Sequence, residues 1–179
     1  PAHLSLQRIF EEFLPDLTLY FAPIKGHRND AIIEKATELG ASKIVPIITE
    51  HTIVRKTNSE KMRANAIEAA EQCERLNVPQ IEEAISLDVL LGNYPENAAL
   101  VFADEAGNGI FIADALKNAP EKLGLLIGPE GGFSPKERER IISHKATIPI
   151  SLGKRILRAD TASFAGLSLI QTFWGDWAK

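Results

Sequence analysis

Two short stretches near the C-terminal end carry residue types that hold small ligands. They are Leu126-Ile127-Gly128-Pro129-Glu130-Gly131-Gly132-Phe133-Ser134 and Ser151-Leu152-Gly153-Lys154-Arg155-Ile156-Leu157-Arg158-Ala159-Asp160-Thr161-Ala162. In each, an apolar run breaks into a glycine-bearing loop and then into a helix-forming segment. Glycine after a buried strand lets backbone N–H and C=O groups come close to a ligand. Two such loops at the ends of neighbouring strands can therefore grip one molecule between them. The first is not a P-loop, because no Gly-Lys-Ser/Thr follows, and it lacks the G-x-G-x-x-G spacing of the dinucleotide fingerprint. Taken alone, Gly128 to Gly132 is equally well a tight strand-to-helix turn. Asn108, between Gly107 and Gly109, reads as a plain turn.

The elements that must position these loops alternate between strand-like and helix-like patterns, which predicts an α/β domain with a mostly parallel sheet. Leu17 to Ala22 reads as a strand. Asn29 or Asp30 can cap a helix through Leu39, with Ile32, Ile33, Ala36 and Leu39 on one face and Gly40 as its stop. Ile44 to Ile48 is apolar, but Pro46 inside it points to an edge strand or a bulge. From Ser59 to Leu76, the residues Met62, Ala66, Ala69, Ala70, Cys73 and Leu76 recur at helical spacing, which puts Cys73 on the packed face. Ala98 to Ala103 and Lys122 to Ile127 read as buried strands, with a short helix over Ile110 to Lys117 between them. Ser134-Pro135-Lys136-Glu137 is a helix start with a capping-box pattern. Thr147 to Leu152 is the last strand, and an apolar helix over Thr161 to Trp174 closes the chain. Residues 1–16, ending in Pro15-Asp16, read as a linker or the remnant of an upstream domain, and 17–179 as one domain.

Bulk properties narrow the function. With 179 residues and 45% hydrophobic content, the chain can bury a real core. No apolar stretch is long enough for a membrane span and no signal-peptide pattern opens the chain. The lone cysteine fits a reducing cytoplasm. The four histidines offer no zinc-like spacing, so no metal is expected. A net charge of −4 argues against holding nucleic acid by bulk electrostatics and leaves that task to local basic patches. Lys136, Arg138 and Arg140 form one such patch, and Lys154, Arg155 and Arg158 another.

The order strand, GPEGGFS, helix, strand, SLGKRILRADTA, apolar helix resembles the RsmE family of SPOUT-class methyltransferases. Upstream, Lys35-Ala36-Thr37-Glu38-Leu39-Gly40 and Ala70-Glu71-Gln72-Cys73 extend the likeness to nearly the whole chain from Lys25 onward. The resemblance implies methylation of uridine N3 in small-subunit (16S) ribosomal RNA. It also implies a C-terminal deep trefoil knot that forms the S-adenosylmethionine site, and a homodimer packed through that knot. Matched by motif, Ile127, Gly128, Pro129, Gly131 and Gly132 line one side of the cofactor. Leu152, Gly153, Ile156 and Leu157 line the other, with Ala162 beneath, and a side chain at Gly153 would clash with bound cofactor. The chain departs from the family in three places. Ala159-Asp160 stands where Thr-Glu is common, Cys73-Glu74-Arg75 where Ser-Gly-Arg is usual, and residues 1–16 are expected to be too few for the family's N-terminal RNA-binding barrel.

Methylation at N3 needs positioning and stabilisation of the uracil anion. Arg158, directly after the second loop, is the candidate for that anion, with an ion pair to Asp160 or Glu130 as its structural alternative. Glu130 and Asp160 are candidate proton acceptors, or caps for backbone amides. Lys154 and Arg155 are candidates to meet phosphate, or equally form a solvated surface face. Arg28, Lys35 and Arg75, with Arg55 and Arg63, extend an RNA track or are solvated charges. Phe164, Phe173 and Trp174 are assigned to core or dimer interface. The rival readings are a knotted methyltransferase with another target, such as a ribose 2′-hydroxyl, and a non-catalytic RNA- or nucleotide-binding module.

Overall fold

The structure is a computed structural model that describes residues 16–105 and 109–178. Most of the expected N-terminal linker and the expected turn at Asn108 lie outside the described residues. Strand and helix alternate as the apolar patterns require. In chain order the elements are β1 (Asp16–Phe21), α1 (Arg28–Glu38), β2 (Lys43–Ile48), α2 (Ser59–Gln72), β3 (Gln80–Ile81), β4 (Ile85–Ser86) and α3 (Leu87–Gly92). They continue with β5 (Ala99–Ala103), β6 (Ile110–Phe111), α4 (Ile112–Leu116), β7 (Lys122–Ile127), α5 (Pro135–Ser143), β8 (Thr147–Ser151) and α6 (Ala159–Phe173). The strands pair in parallel in the order β3-β2-β1-β7-β5-β8-β6, and β4 takes over from β3 beside β2.

Parallel sheets need both faces covered, which is why their strands read as continuous apolar runs. Leu17, Leu19 and Phe21 face a core built with Ile32, Ile33, Met62, Ala66, Ile112, Leu167 and Ile170, from α1, α2, α4 and α6. On the other face Val45, Ile47, Leu100, Phe102 and Leu126 pack with Leu87, Leu90 and Ile141 of α3 and α5. The predicted fold class, a mostly parallel α/β sheet with helices on both faces, is therefore observed. Ser134 and Glu137 form the capping box read from the sequence: the Glu137 carboxylate accepts from Ser134 N–H at 3.0 Å, and Glu137 N–H donates to Ser134 Oγ at 3.4 Å.

Four local expectations are corrected. Neither Asn29 nor Asp30 caps α1, which starts at Arg28; Asn29 instead clamps the preceding loop, accepting from Ile24 N–H at 2.9 Å and donating to Ile24 O at 2.6 Å. Pro46 does not make β2 an edge strand. β3 pairs with Lys43 and Ile44, β4 with Ile47 and Ile48, and the ladder is interrupted opposite Pro46, which has no N–H to give. Ile110 and Phe111 form the short strand β6 against β8 before α4 begins. Finally, α2 stops at Gln72, and Cys73 and Leu76 are exposed beyond it.

That stop has a clear cause. Arg75 N–H donates to Ala70 O at 2.9 Å and Glu74 N–H to Glu71 O at 3.3 Å, the paired bonds of a Schellman ending. α1 ends in the same way through Ala41 to Ala36 and Gly40 to Thr37. Gly40 holds the left-handed position there with φ +81, whereas Glu74 must hold it with φ +57.

Candidate active site

Strands β7, β5 and β8 are neighbours, and their C-terminal ends open onto two adjoining cavities of about 190 and 440 Å³. Ligands of open α/β sheets bind outside the carboxyl ends of the strands, and this location follows that rule. Both cavities are walled by Ala103, Asp104 and Glu105 from the end of β5 and by Ile156, Leu157 and Ala162 from the second loop and α6.

The smaller cavity brings together Ile127, Gly128, Pro129, Glu130 and Gly132 from the first loop with Ile156, Leu157 and Arg158 from the second. Leu152, Gly153, Lys154 and Arg155 line the larger one. Of the ten residues matched to the cofactor, Gly131 alone is not on a cavity wall; it lies against His51, whose Cβ would be 3.4 Å from a Cβ at position 131. A Cβ at Gly153, by contrast, would meet no protein atom within 4 Å, so it would project into open space while strained by a φ of +105. Apolar walls, exposed backbone at glycine and a few convergent charges suit a small organic ligand.

The two loops are held very differently. His51 Nδ1–H donates to the carbonyls of Gly131 and Gly132 at 3.0 and 3.2 Å, and Gly132 N–H closes a turn onto Pro129 O at 2.9 Å. Glu50 N–H donates to Glu137 Oε1 at 2.8 Å, and Phe133 packs edge-on against Phe102 with ring centroids 5.4 Å apart. Arg138, in the first turns of α5, reaches back to Asp104 with Nε–Oδ1 2.9 Å and Nη2–Oδ2 2.6 Å. The Asp104 side chain is 1% exposed and that of Arg138 31%. The carboxylate holds the guanidinium pKa above its usual value. From Gly153 to Leu157, among the described residues, the one hydrogen bond is Gly153 N–H to Ser151 Oγ at 3.2 Å. Ile156 is 84% exposed.

The candidate catalytic residues divide. Arg158 and Glu130 both face the smaller cavity from opposite loops. Asp160 lies outside it, accepting from Thr161 N–H at 2.9 Å in the first turn of α6 and standing 4.0 Å from Arg28 Nε. Arg28 thus sits beside the start of α6, while Lys154 and Arg155 line the larger cavity and Arg158 the smaller. Lys35 and Arg75 do not join them. Lys35 is held by Glu34 and Glu38 at 2.7 and 2.8 Å, which raises its pKa. Arg75 donates to the carbonyls of Thr37 and Ala41 and to Asn77, so it ties the end of α1 to the turn after α2.

With this geometry in view, comparisons with known proteins decide the family. Residues 11–171 match the family described as RNA methyltransferase domain. The Rickettsia conorii protein named ribosomal RNA small subunit methyltransferase E is 40% identical over 87% of this chain and 64% of its own length. Its namesake from Aquifex aeolicus is 32% identical over 88% of this chain and 69% of its own. This chain belongs to the RsmE family. A crystal structure of the family member from Neisseria gonorrhoeae, bound to S-adenosyl methionine, superposes with a TM-score of 0.82 at 29% identity, over 91% of this chain and 68% of that one. The chain spans from about half to two thirds of the length of the curated relatives it matches first.

Within this RsmE-family chain, sequence reasoning passed over Phe102, Asp104 and Glu105 on the cavity walls and His51 behind the first loop, and it placed Arg138 in a basic patch for nucleic acid where the structure pairs it with Asp104. Asp104 and Glu105 were findable, because carboxylates directly after a buried parallel strand stand where such sheets bind ligands. Their engagement with Arg138 and Gly132 was not findable from spacing.

Proposed function

We propose that this chain uses S-adenosylmethionine to methylate N3 of a uridine in small-subunit ribosomal RNA. The observation that carries the reading is the cavity pair between the two glycine loops, set in an RsmE-family domain. Bound S-adenosylmethionine supplies an electrophilic methyl group. The apolar walls at Ile127, Leu157 and Ala162 exclude water, the backbone of Gly128, Leu152 and Gly153 offers hydrogen-bonding groups to an adenine, and Pro129 and Gly132, tied to each other, shape the wall it packs on. The exposed Ile156 folds over the ligand, and Gly131 serves through its carbonyl contact with His51.

Arg158 faces the smaller cavity and stabilises the uracil oxyanion as the N3 proton departs. Glu130, on the opposite loop, receives that proton directly or through water. Asp160 takes a structural role, accepting the Thr161 N–H in the first turn of α6 and pairing with Arg28. Lys154 and Arg155 on the wall of the larger cavity and Arg28 beside the start of α6 meet RNA phosphates, while Lys35 and Arg75 are assigned to the fold because carboxylates and carbonyls already occupy them. The trefoil threading of the C-terminal segment, the homodimer and a cytoplasmic location belong to the same proposal. The exposed Ile110, Phe111, Phe173 and Trp177 support the dimer, with Phe111 and Phe173 already in edge contact at 6.0 Å.

Mass spectrometry of small-subunit RNA from a strain lacking this gene tests the proposal. N3-methyluridine should vanish and return with the wild-type gene. Unchanged N3-methyluridine would overturn the assigned target, and loss of a ribose methyl instead would redirect it.

A further inference from the structure

The two cavities meet at the end of β5, where Glu105 lines both. We infer that the Glu105 carboxylate recognises the positive charge of the sulfonium at the centre of the cofactor, an assignment that rests on the S-adenosylmethionine reading of this site. A ligand with an adenosine arm and an amino-acid arm, one in each cavity, passes its central cation by the shared wall.

Three observations single out this side chain. Asp104 also lies on the shared wall, but its carboxylate is buried and engaged by two guanidinium nitrogens of Arg138, so its charge is already compensated. Glu130 lines the smaller cavity alone. Gly132, across from Glu105, has φ +66, and a Cβ there would lie 1.9 Å from Glu105 Oε1. The absence of a side chain at position 132 is thus what seats the carboxylate between the first loop and β5. Around it Ala103, Ile127, Leu157 and Ala162 are apolar, so once a ligand excludes water a neighbouring cation is attracted more strongly than in bulk solvent.

Calorimetric titration of the chain with S-adenosylmethionine and with S-adenosylhomocysteine isolates the charge, because the two differ only in the methyl group and the charge it leaves on sulfur. Glu105→Gln should lower affinity for S-adenosylmethionine about tenfold, the scale of one partly screened charge pair, and leave S-adenosylhomocysteine unchanged. Unchanged product affinity also shows that the site is still folded. Equal weakening of both ligands, or of neither, would overturn the assignment alone. Wild-type protein that binds neither would overturn the cofactor reading beneath it.

Discussion

The two loops that face each other across the cavity differ in how they are held. The first, Gly128 to Ser134, is fixed from three sides: by His51 on its carbonyls, by Phe102 against Phe133, and by the capping box and Arg138–Asp104 pair at the helix it feeds. The second, Gly153 to Leu157, has one hydrogen bond among the described residues, and Ile156 is largely in solvent. A site built this way has one wall braced by the fold and one held by few bonds, and closure on a ligand is expected of the second. The ordering cost then falls on a few residues of the second loop.

Substitutions can break or sharpen that contrast. The largest effect is expected on the soft side. Gly153→Val should abolish binding of S-adenosylmethionine while the domain still folds at a strain cost of about 1–3 kcal/mol, measured by calorimetry beside a denaturation curve. Arg158→Ala should lower turnover by about 10²–10³-fold and spare cofactor affinity, as expected for an oxyanion donor; a methyl-transfer assay paired with titration checks it. On the rigid side the effect moves to stability. Asp104→Asn removes the partner of Arg138, and because that guanidinium can partly rehydrate, urea unfolding should show a loss of about 2 kcal/mol, below the range for a wholly buried pair. The smallest effect returns to the soft loop, where Ile156→Ser should change stability by no more than about 0.5 kcal/mol in the same unfolding measurement.

The contrast also marks where sequence reasoning stops. The continuous apolar runs of β5 and β7 announced doubly covered parallel strands, and Ser134-Pro135-Lys136-Glu137 announced a helix start, because both signals are local. The glycine loops were legible as ligand-binding candidates for the same reason. Pairing is not local. Arg138 and Asp104 are 34 residues apart, and Arg75 meets Thr37 across 38. Nothing in spacing says which of the many basic residues is engaged by the fold and which faces the cavity rim. Lys35 and Arg28 read alike on paper, yet carboxylates one and three residues away neutralise Lys35, while Arg28 reaches the start of α6 at Asp160. Pro46 misled because the rule for proline in sheets concerns its own strand, and here the neighbouring strand yields instead.

The measurement that tests the central claim most directly is amide hydrogen exchange with and without S-adenosylmethionine. If the second loop is the wall that closes, exchange between Leu152 and Arg158 slows strongly on addition of the cofactor, while the hydrogen-bonded amides of Gly132 and Ser134 in the first loop, protected from the start, change little. Exchange that is unchanged at both loops, or a first loop as unprotected as the second before cofactor is added, would contradict it.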